Sequence, residues 1–197
     1  LNVGSRFEQS QRITRYRESG NFDDPFLKIT KDNFDILPAA NFKYELNDKA
    51  NFRVSASKTL TNPVVMEAFP LDFVNPDATI ENGNPNIVNS NNYNLDLKYE
   101  LFPTSKEMFA ITGFAKYIEN PIERLFSPSA GSGGQVITYD NSKKAVLYGA
   151  ELELLLQLSR INESLSKFSF GFNTSLMFTK TTIDRVKNVA EVPSLGD

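Results

Sequence analysis

Hydrophobic and polar residues alternate without a break along residues 93–101. The even positions are polar or charged, and the odd positions hold Tyr93, Leu95, Leu97, Tyr99 and Leu101. Because successive side chains of a strand point to opposite faces, this pattern predicts a strand with one apolar and one polar face. Residues 108–117 alternate less strictly after the turn residues Pro103, Thr104 and Ser105, so the two segments together predict a long antiparallel hairpin.

The same alternation recurs elsewhere, in residues 1–9, 36–46, 52–57, 148–158 and 168–179. Short polar connections alternate with long polar tracts, which predict loops at residues 10–31, 61–89 and 120–144. The pattern therefore predicts an all-β fold, an antiparallel up-and-down meander of about seven long strands. Such a meander places all the short turns at one rim and all the long loops at the other.

Two all-β architectures accommodate strands of this kind. In a soluble sandwich the apolar face packs on a second sheet, whereas in a transmembrane barrel it meets lipid and the polar face lines a wet interior. Residues 93–101, tilted by about 40°, rise roughly 20 Å, close to the ~25 Å apolar band of a barrel. Tyrosines at strand ends fit an aromatic girdle and a soluble core equally well. Strand length and connection lengths favour the barrel, and we then expect six side chains to face hydrocarbon: Leu95, Leu97, Leu152, Leu154, Phe170 and Phe172.

Composition removes several functional classes. No run of roughly 20 apolar residues exists, so we expect no transmembrane helix. The formal net charge of -3 gives no reason to expect a nucleic acid partner. Histidine and cysteine are absent, which removes the commonest general base, the commonest zinc ligands, and any disulfide or catalytic thiol. The chain begins at Leu1 without a signal-like segment, and we expect a piece of a longer protein.

A set of short pieces, taken in order, resembles the later part of the barrel of TonB-dependent outer-membrane receptors. The pieces are Ile36-Leu37-Pro38 before a strand, Gly83-Asn84-Pro85-Asn86 before the next, Asn120-Pro121-Ile122-Glu123 after a strand, and Tyr148-Gly149-Ala150-Glu151-Leu152-Glu153. The resemblance spans residues 1–180. It departs at Thr61-Asn62-Pro63, where many relatives have an arginine before the proline, and this departure concerns a local loop contact.

The resemblance implies that residues 1–197 are a segment of a large transmembrane β-barrel of about 22 strands, whose plug domain and remaining strands are absent from the chain. It further implies a location in the outer membrane of a Gram-negative cell, contact with membrane lipid, and engagement of TonB through the missing plug. The implied function is uptake of a scarce nutrient such as a siderophore or a glycan, with no cofactor and no enzymatic activity. The resemblance does not specify the ligand.

Phe69, Phe73, Asn84 and Asn86 in the longest predicted loop are candidate ligand-binding residues. Aromatic rings beside amides suit the mouth of a receptor, and the alternative is that these side chains pack the loop against itself. Carboxylates of the same loop offer a calcium site, although the spacing of Asp72, Asp77 and Glu81 does not follow the EF-hand pattern.

Other motifs carry weaker signals. Glu151 and Glu153 form a carboxylate pair suited to acid/base chemistry, but in a barrel they become solvated wall residues. The glycine-rich stretch 131–134 lacks the Lys-Ser/Thr of a phosphate loop, and Asn173-Thr174-Ser175 matches a glycosylation motif inside a strand. Two alternatives to a transporter stay open, a soluble β-sandwich that binds ligands or carbohydrate and a β-rich hydrolase that uses Glu151 and Glu153.

Overall fold

A computed structural model of the chain describes residues 1–17, 23–77, 79–128 and 135–182. It contains two β-sheets and a short helix, α1 (Val65–Ala68). The strands in chain order are β1 (Asn2–Tyr16), β2 (Leu27–Asn47), β3 (Ala50–Thr61), β4 (Asp72–Val74), β5 (Ile80–Asn82), β6 (Ser90–Leu101), β7 (Met108–Glu119), β8 (Ile122–Pro128), β9 (Gln135–Asn141), β10 (Lys144–Gln157) and β11 (Ser169–Thr182). Within these ranges no helix is long and apolar enough to cross a membrane.

The larger sheet is a seven-stranded antiparallel meander in the order β1-β2-β3-β6-β7-β10-β11. The connections β2–β3, β6–β7 and β10–β11 share one edge, the short-turn rim. The connections β1–β2, β3–β6 and β7–β10 share the opposite edge, the long-loop rim. The predicted meander of about seven strands is confirmed. The predicted alternation of short and long connections holds from β2 to β10, but residues 17–26 between β1 and β2 form a slightly shorter connection than residues 158–168 between β10 and β11.

One surface of the larger sheet, the apolar face, is lined with hydrophobic side chains across neighbouring strands. The cross-strand register places on it Phe42, Val54, Leu97, Ala150 and Leu176. Leu95 and Leu97 are each 44% exposed, Phe170 is 47% exposed and Phe172 is 46% exposed. A soluble sandwich requires a second layer over these side chains, and their exposure shows that no described element provides one.

The opposite surface, the polar face, carries a network of charges. The Arg53 Nε atom lies 2.7 Å from the Glu100 carboxylate, and the Lys98 Nζ atom lies 3.6 Å from the same carboxylate. Lys98 also lies 3.3 Å from Glu153 and so links β6 to β10 across the intervening strand. A sheet with one uncovered apolar face and one charged face is the wall that a barrel needs between lipid and water.

Pro38 marks the point where β2 separates from β3. The ladder between these strands ends at Ala39 and Ser57, and the next residue, Pro38, has no backbone N–H to donate. The pairing of β1 with β2 continues to Tyr16 and Leu27, so residues 5–16 and 27–38 form a two-stranded ribbon. Much of the predicted loop 10–31 is therefore strand. Because both surfaces of the ribbon carry polar residues, the alternation of apolar and polar positions that predicts a strand is obscured there.

The smaller sheet has four strands in the order β4-β5-β9-β8 and is built from the two long connections beyond β3 and β7. Its central pair, β5 and β9, is parallel, and the outer pairs are antiparallel. The prediction that residues 61–89 and 120–144 are loops is wrong for these segments. Their strands are short, and the parallel pair joins segments far apart in the sequence.

Candidate functional site

The smaller sheet lies at the long-loop rim, because both of its parent connections leave the larger sheet there. Loops at the rim of a rigid sheet are common positions for binding residues. The contacts that hold the smaller sheet in place, and the groove that its strands form, therefore define the candidate site.

The first contact fixes the piece Gly83-Asn84 against α1. A Cβ atom built on Gly83 would lie 2.5 Å from the carbonyl oxygen of Phe69 and about as close to that of Met66. The backbone N–H of Asn84 donates to the Glu67 carbonyl at 2.7 Å. Only glycine permits this approach, which gives a physical reason for the glycine in that piece.

The second contact centres on Asn141 at the end of β9. Its side chain accepts from the Val88 N–H at 2.7 Å and donates to the carbonyls of Val88 at 3.0 Å and Asn120 at 2.8 Å. Asn120 has a φ of 52°, a left-handed conformation in which asparagine is favoured over most residues. The hydroxyl of Ser90 also donates to the Asn120 carbonyl at 2.8 Å. Asn141 thus ties the two long connections together where they meet the larger sheet.

The third contact comes from the ribbon. Arg12 and Lys31 face each other across β1 and β2. Both donate to the carbonyl of Ile87, Lys31 at 3.0 Å, and Lys31 also donates to the carbonyl of Asn86. Ile87 is only 1% exposed. The ribbon therefore holds the segment 84–89 through cationic donors bonded to backbone oxygens.

A groove of about 560 Å³, the rim groove, opens on one face of the smaller sheet. It is lined by Asn75, Pro76, Asp77, Thr79, Glu81, Arg124, Phe126 and Ile137. The hydroxyl of Tyr139 donates to the buried carboxylate of Glu81, whose other oxygen lies 3.9 Å from the Arg124 guanidinium. The Arg124 guanidinium also lies 5.3 Å from the centre of the exposed Phe126 ring. Carboxylates, an amide, a guanidinium and an aromatic ring thus surround one opening.

Hydrogen bonds set the charge of the rim groove. The Tyr139 hydroxyl is the main cause that lowers the pKa of Glu81, outweighing the opposite effect of burial. Burial, followed by Glu81, raises the pKa of Tyr139, so the phenol keeps its proton at neutral pH. Hydrogen bonds from Thr79 lower the pKa of Asp77. The lining therefore contains two carboxylates and one guanidinium.

The predicted ligand-binding residues all lie in the segment between β3 and β6, but they do not line the rim groove. Phe69 and Phe73 are half-buried, and Phe73 pairs directly with Glu81, so it shares the face on which the groove opens. The Asn84 side chain accepts from the Asn86 N–H at 2.9 Å and shapes the loop. Their role in binding stays a prediction.

The structure separates the residues considered for calcium. Asp72 accepts from Asn82 at 2.5 Å outside the rim groove, whereas Asp77 and Glu81 line it. No group of three or more His, Cys, Asp or Glu side chains suited to a metal ion occurs in the described part of the chain. The calcium hypothesis therefore has no site among these residues.

The remaining motifs have structural positions of their own. Glu153 pairs with Lys98 on the polar face, and Glu151 lies in register with Thr112 on the same face. Asn173 lies inside β11. The glycine-rich stretch 131–134 falls outside the described residues.

The sequence alone did not indicate the lining residues Asn75, Arg124 and Phe126 of the rim groove, nor Tyr139, which hydrogen-bonds to the lining residue Glu81. The parallel pairing of Glu81 with Ile137 brings the two long connections together. Antiparallel pairing then sets Arg124 beside Tyr139. No local motif signals this arrangement. The alternating residues of β8 and β9 offered the one available clue.

A protein-family model described as TonB dependent receptor-like, beta-barrel matches residues 1–194. A search of curated proteins by sequence gives no match. The chain is similar in structure to the siderophore receptor PirA from Pseudomonas aeruginosa, with a TM-score of 0.62 and 16% identity over 91% of this chain and 34% of that one.

Two further solved structures have the same fold. The ferric enterobactin receptor PfeA from Pseudomonas aeruginosa, mutant R480A in complex with enterobactin, gives a TM-score of 0.58 at 17% identity over 89% of this chain and 27% of that one. A double mutant of the Serratia marcescens hemophore receptor HasR, in complex with its hemophore HasA and heme, gives 0.57 at 11% identity over 91% and 29%. The chain thus spans about a third or less of the length of each of these three receptors.

Proposed function

The chain belongs to the TonB-dependent receptor-like β-barrel family, and from this premise we propose that it forms the part of an outer-membrane uptake receptor that captures a scarce nutrient at the cell surface. Members of the family are transporters rather than enzymes, and they lie in the outer membrane. The observation that carries the proposal is a seven-stranded sheet with one uncovered apolar face and one charged face, which bears at its long-loop rim a smaller sheet with a polar groove.

In this proposal residues 1–197 contribute part of the barrel wall and its external loops, and the energy for transport is supplied through other parts of the receptor. A plug domain in the rest of the protein would engage TonB and couple uptake to energy from the inner membrane. The charged network of Arg53, Lys98, Glu100 and Glu153 would then face the water-filled and plugged interior. In this proposal these side chains line the interior and perform no chemical step.

We propose that the nutrient binds in the rim groove, with Phe69, Phe73, Asn84 and Asn86 contributing from the neighbouring loop. Solved receptors of the same fold bind siderophores, or a hemophore with heme. An iron chelate of the siderophore class is accordingly the first ligand to test. The face shared by Phe73 and Glu81 supports a joint role for the loop and the groove.

A glycan is the second candidate ligand, and one observation favours it. The exposed Phe126 ring lies beside the Arg124 guanidinium, the Glu81 carboxylate and the Asn75 amide. An aromatic platform flanked by hydrogen-bonding groups suits a sugar ring. The two carboxylates of the groove also disfavour a strongly anionic ligand such as a carboxylate-rich chelate.

Uptake by cells that express the full-length receptor tests the proposal. Labelled siderophores and oligosaccharides are supplied to strains with and without TonB, and the receptor is checked for heat-modifiable gel mobility in outer-membrane extracts. We expect TonB-dependent uptake of one ligand class and a loss of about tenfold or more in the variant Glu81→Gln with Arg124→Ala. Glu123→Gln, a change on β8 outside the groove lining, serves as the matched control and should leave uptake unchanged.

Two results would contradict the proposal. A water-soluble full-length protein without a heat-dependent shift would exclude the barrel. Unchanged uptake in the double variant of Glu81 and Arg124 would exclude the rim groove as the capture site. It would not contradict the proposal that uptake depends on TonB.

A further inference from the structure

An apolar groove of about 390 Å³, the wall groove, lies on the apolar face of the larger sheet, where β6, β7, β10 and β11 run side by side. Its floor is made of small residues, because Gly113 pairs with Ala150 and the neighbouring Ala115 pairs with Tyr148. Its walls are bulky and apolar, formed by Leu95, Leu97, Leu176 and Phe178. The groove is therefore a channel between large side chains.

No atom of the described residues fills this channel above Gly113. A Cβ atom built on Gly113 would meet nothing within 4 Å, and Leu97 and Leu176 beside the floor are 44% and 64% exposed. An unfilled apolar channel loses dispersion contacts along its whole lining, and it offers water no hydrogen-bonding partner. The occupant that restores those contacts is an apolar chain.

The long-loop end of the channel changes from apolar to aromatic and then to basic. The Tyr148 and Phe178 rings stack 5.6 Å apart at the groove, and one register step beyond them Lys180 pairs with Val146. Lys144 follows, in register with Glu119 and Thr182. Aromatic rings and lysines at the edge of an apolar band mark the level of lipid headgroups.

The charge of this edge favours an anion. On these four strands the apolar face carries Lys144 and Lys180 near the long-loop rim, against one carboxylate, that of Glu119, which accepts from the Tyr93 hydroxyl at 3.3 Å. Lys58 on the neighbouring β3 adds a third cation, 6.0 Å from the Tyr93 ring centre. Each lysine near an anionic lipid surface contributes attraction to it.

We propose that the wall groove binds one acyl chain of an outer-leaflet lipid whose phosphate headgroup lies against Lys144 and Lys180. The leaflet follows from the long-loop rim, which faces the exterior in outer-membrane barrels. The inference rests on family membership and on the geometry of the wall, and it does not depend on the nutrient or on the rim groove.

Native mass spectrometry of the full-length receptor tests the site. The receptor is reconstituted in phosphatidylcholine nanodiscs doped with lipid A, released in mild detergent, and compared with the variant Gly113→Leu with Ala150→Leu, which fills the floor. We expect the filled variant to retain about tenfold less lipid A than the unchanged receptor, because the acyl chain loses the burial of about two methylene groups. Thr174→Leu, which also places a leucine on the apolar face but outside the groove lining, should retain as much lipid A as the unchanged receptor.

The double variant Lys144→Gln with Lys180→Gln distinguishes the contribution of the lipid headgroup from that of the acyl chain. We expect this variant to lose its preference for lipid A over phosphatidylcholine while still holding a lipid. Heat-modifiable mobility confirms that each variant is folded. Equal lipid retention by the unchanged and the filled receptor, or an unchanged lipid preference in the lysine variant, would overturn the proposal.

Discussion

The guanidinium of Arg160 binds the carboxylate of Glu107 through two hydrogen bonds, each of 3.1 Å, and so joins the last two connections of the short-turn rim. The Glu107 side chain is 3% exposed, and the Thr104 hydroxyl donates to the same carboxylate at 3.2 Å. Bidentate pairs of this kind fix geometry as well as charge. The neighbouring turns are tied in a similar way, since the Phe102 N–H donates to the Lys49 carbonyl at 2.7 Å.

Replacement of Glu107 by alanine should loosen the short-turn rim. The change leaves Arg160 without its partner and removes the acceptor of Thr104, so we expect the heat-modifiability midpoint to fall by several degrees. Lys106→Ala, an exposed neighbour in the same turn, is the control and should leave the midpoint in place. Equal midpoints for the two variants would show that the pair contributes nothing to barrel stability.

The same pair predicts a dependence on pH. Hydrogen bonds from Arg160 lower the pKa of Glu107 below its ordinary value of 4.5. A carboxyl group whose pKa is lowered in the folded state stabilises the fold at pH values above its ordinary pKa. This stabilisation is lost as the pH falls through the lowered pKa of the folded state. The midpoint difference between the unchanged receptor and Glu107→Ala should thus be constant near neutral pH and shrink in strong acid.

Alanine substitutions of two glycines on adjacent strands should change the stability of the protein in opposite directions. A Cβ atom on Gly149 would lie 3.1 Å from the Met177 Cα, 2.7 Å from the Phe114 ring and closer still to the Leu176 carbonyl oxygen, whereas one on Gly113 meets nothing within 4 Å. Gly149→Ala should cost about 1–3 kcal/mol through forced backbone shifts. Gly113→Ala should be neutral or stabilising by about 0.5–1 kcal/mol. Urea unfolding of the reconstituted barrel measures both, and equal stabilities would contradict the close approach of β10 and β11 at Gly149.

The alternation along the chain predicted the larger sheet, and the resemblance of four short pieces to TonB-dependent receptors predicted the family and the outer-membrane location. All three predictions are confirmed. Lipid on one side and water on the other impose a period of two on strands such as β6, and this period is readable in a single sequence. The smaller sheet lacks that constraint. Its strands β4 and β5 have three residues each, and its groove depends on the pairing of Glu81 with Ile137, which no local pattern encodes. The ribbon beyond Pro38 escaped prediction because Arg12 and Gln11 make both of its surfaces polar.

Gly83→Ala should disorder the outer layer and spare the barrel. The added methyl group would collide with the backbone oxygens of Met66 and Phe69 and push α1 away from the following loop. We expect faster proteolysis within residues 64–89 and a loss of nutrient uptake, with normal heat-modifiable mobility. Gly4→Ala, where the added atom meets nothing within 4 Å, is the matched control. Loss of barrel folding in the Gly83 variant would mean that the two sheets are not separable.

Tyr139→Phe should shift the acid sensitivity of the smaller sheet to higher pH. The Tyr139 hydroxyl is the largest cause of the lowered pKa of Glu81, so its removal raises that pKa, because burial is then opposed only by the weaker effects of Asn75 and Arg124. A carboxyl with a lowered pKa stays charged until the pH falls through its folded value, and the variant should therefore protonate Glu81 at a higher pH than the unchanged protein. Protonation removes the charge that attracts Arg124, 3.9 Å away, and weakens the contact between β5 and β8 across the sheet. Hydrogen exchange of residues 80–82, measured as the pH is lowered, reports this opening. Glu81→Gln should abolish the pH dependence in both backgrounds, and a pH profile that Tyr139→Phe leaves in place would assign the transition to another group.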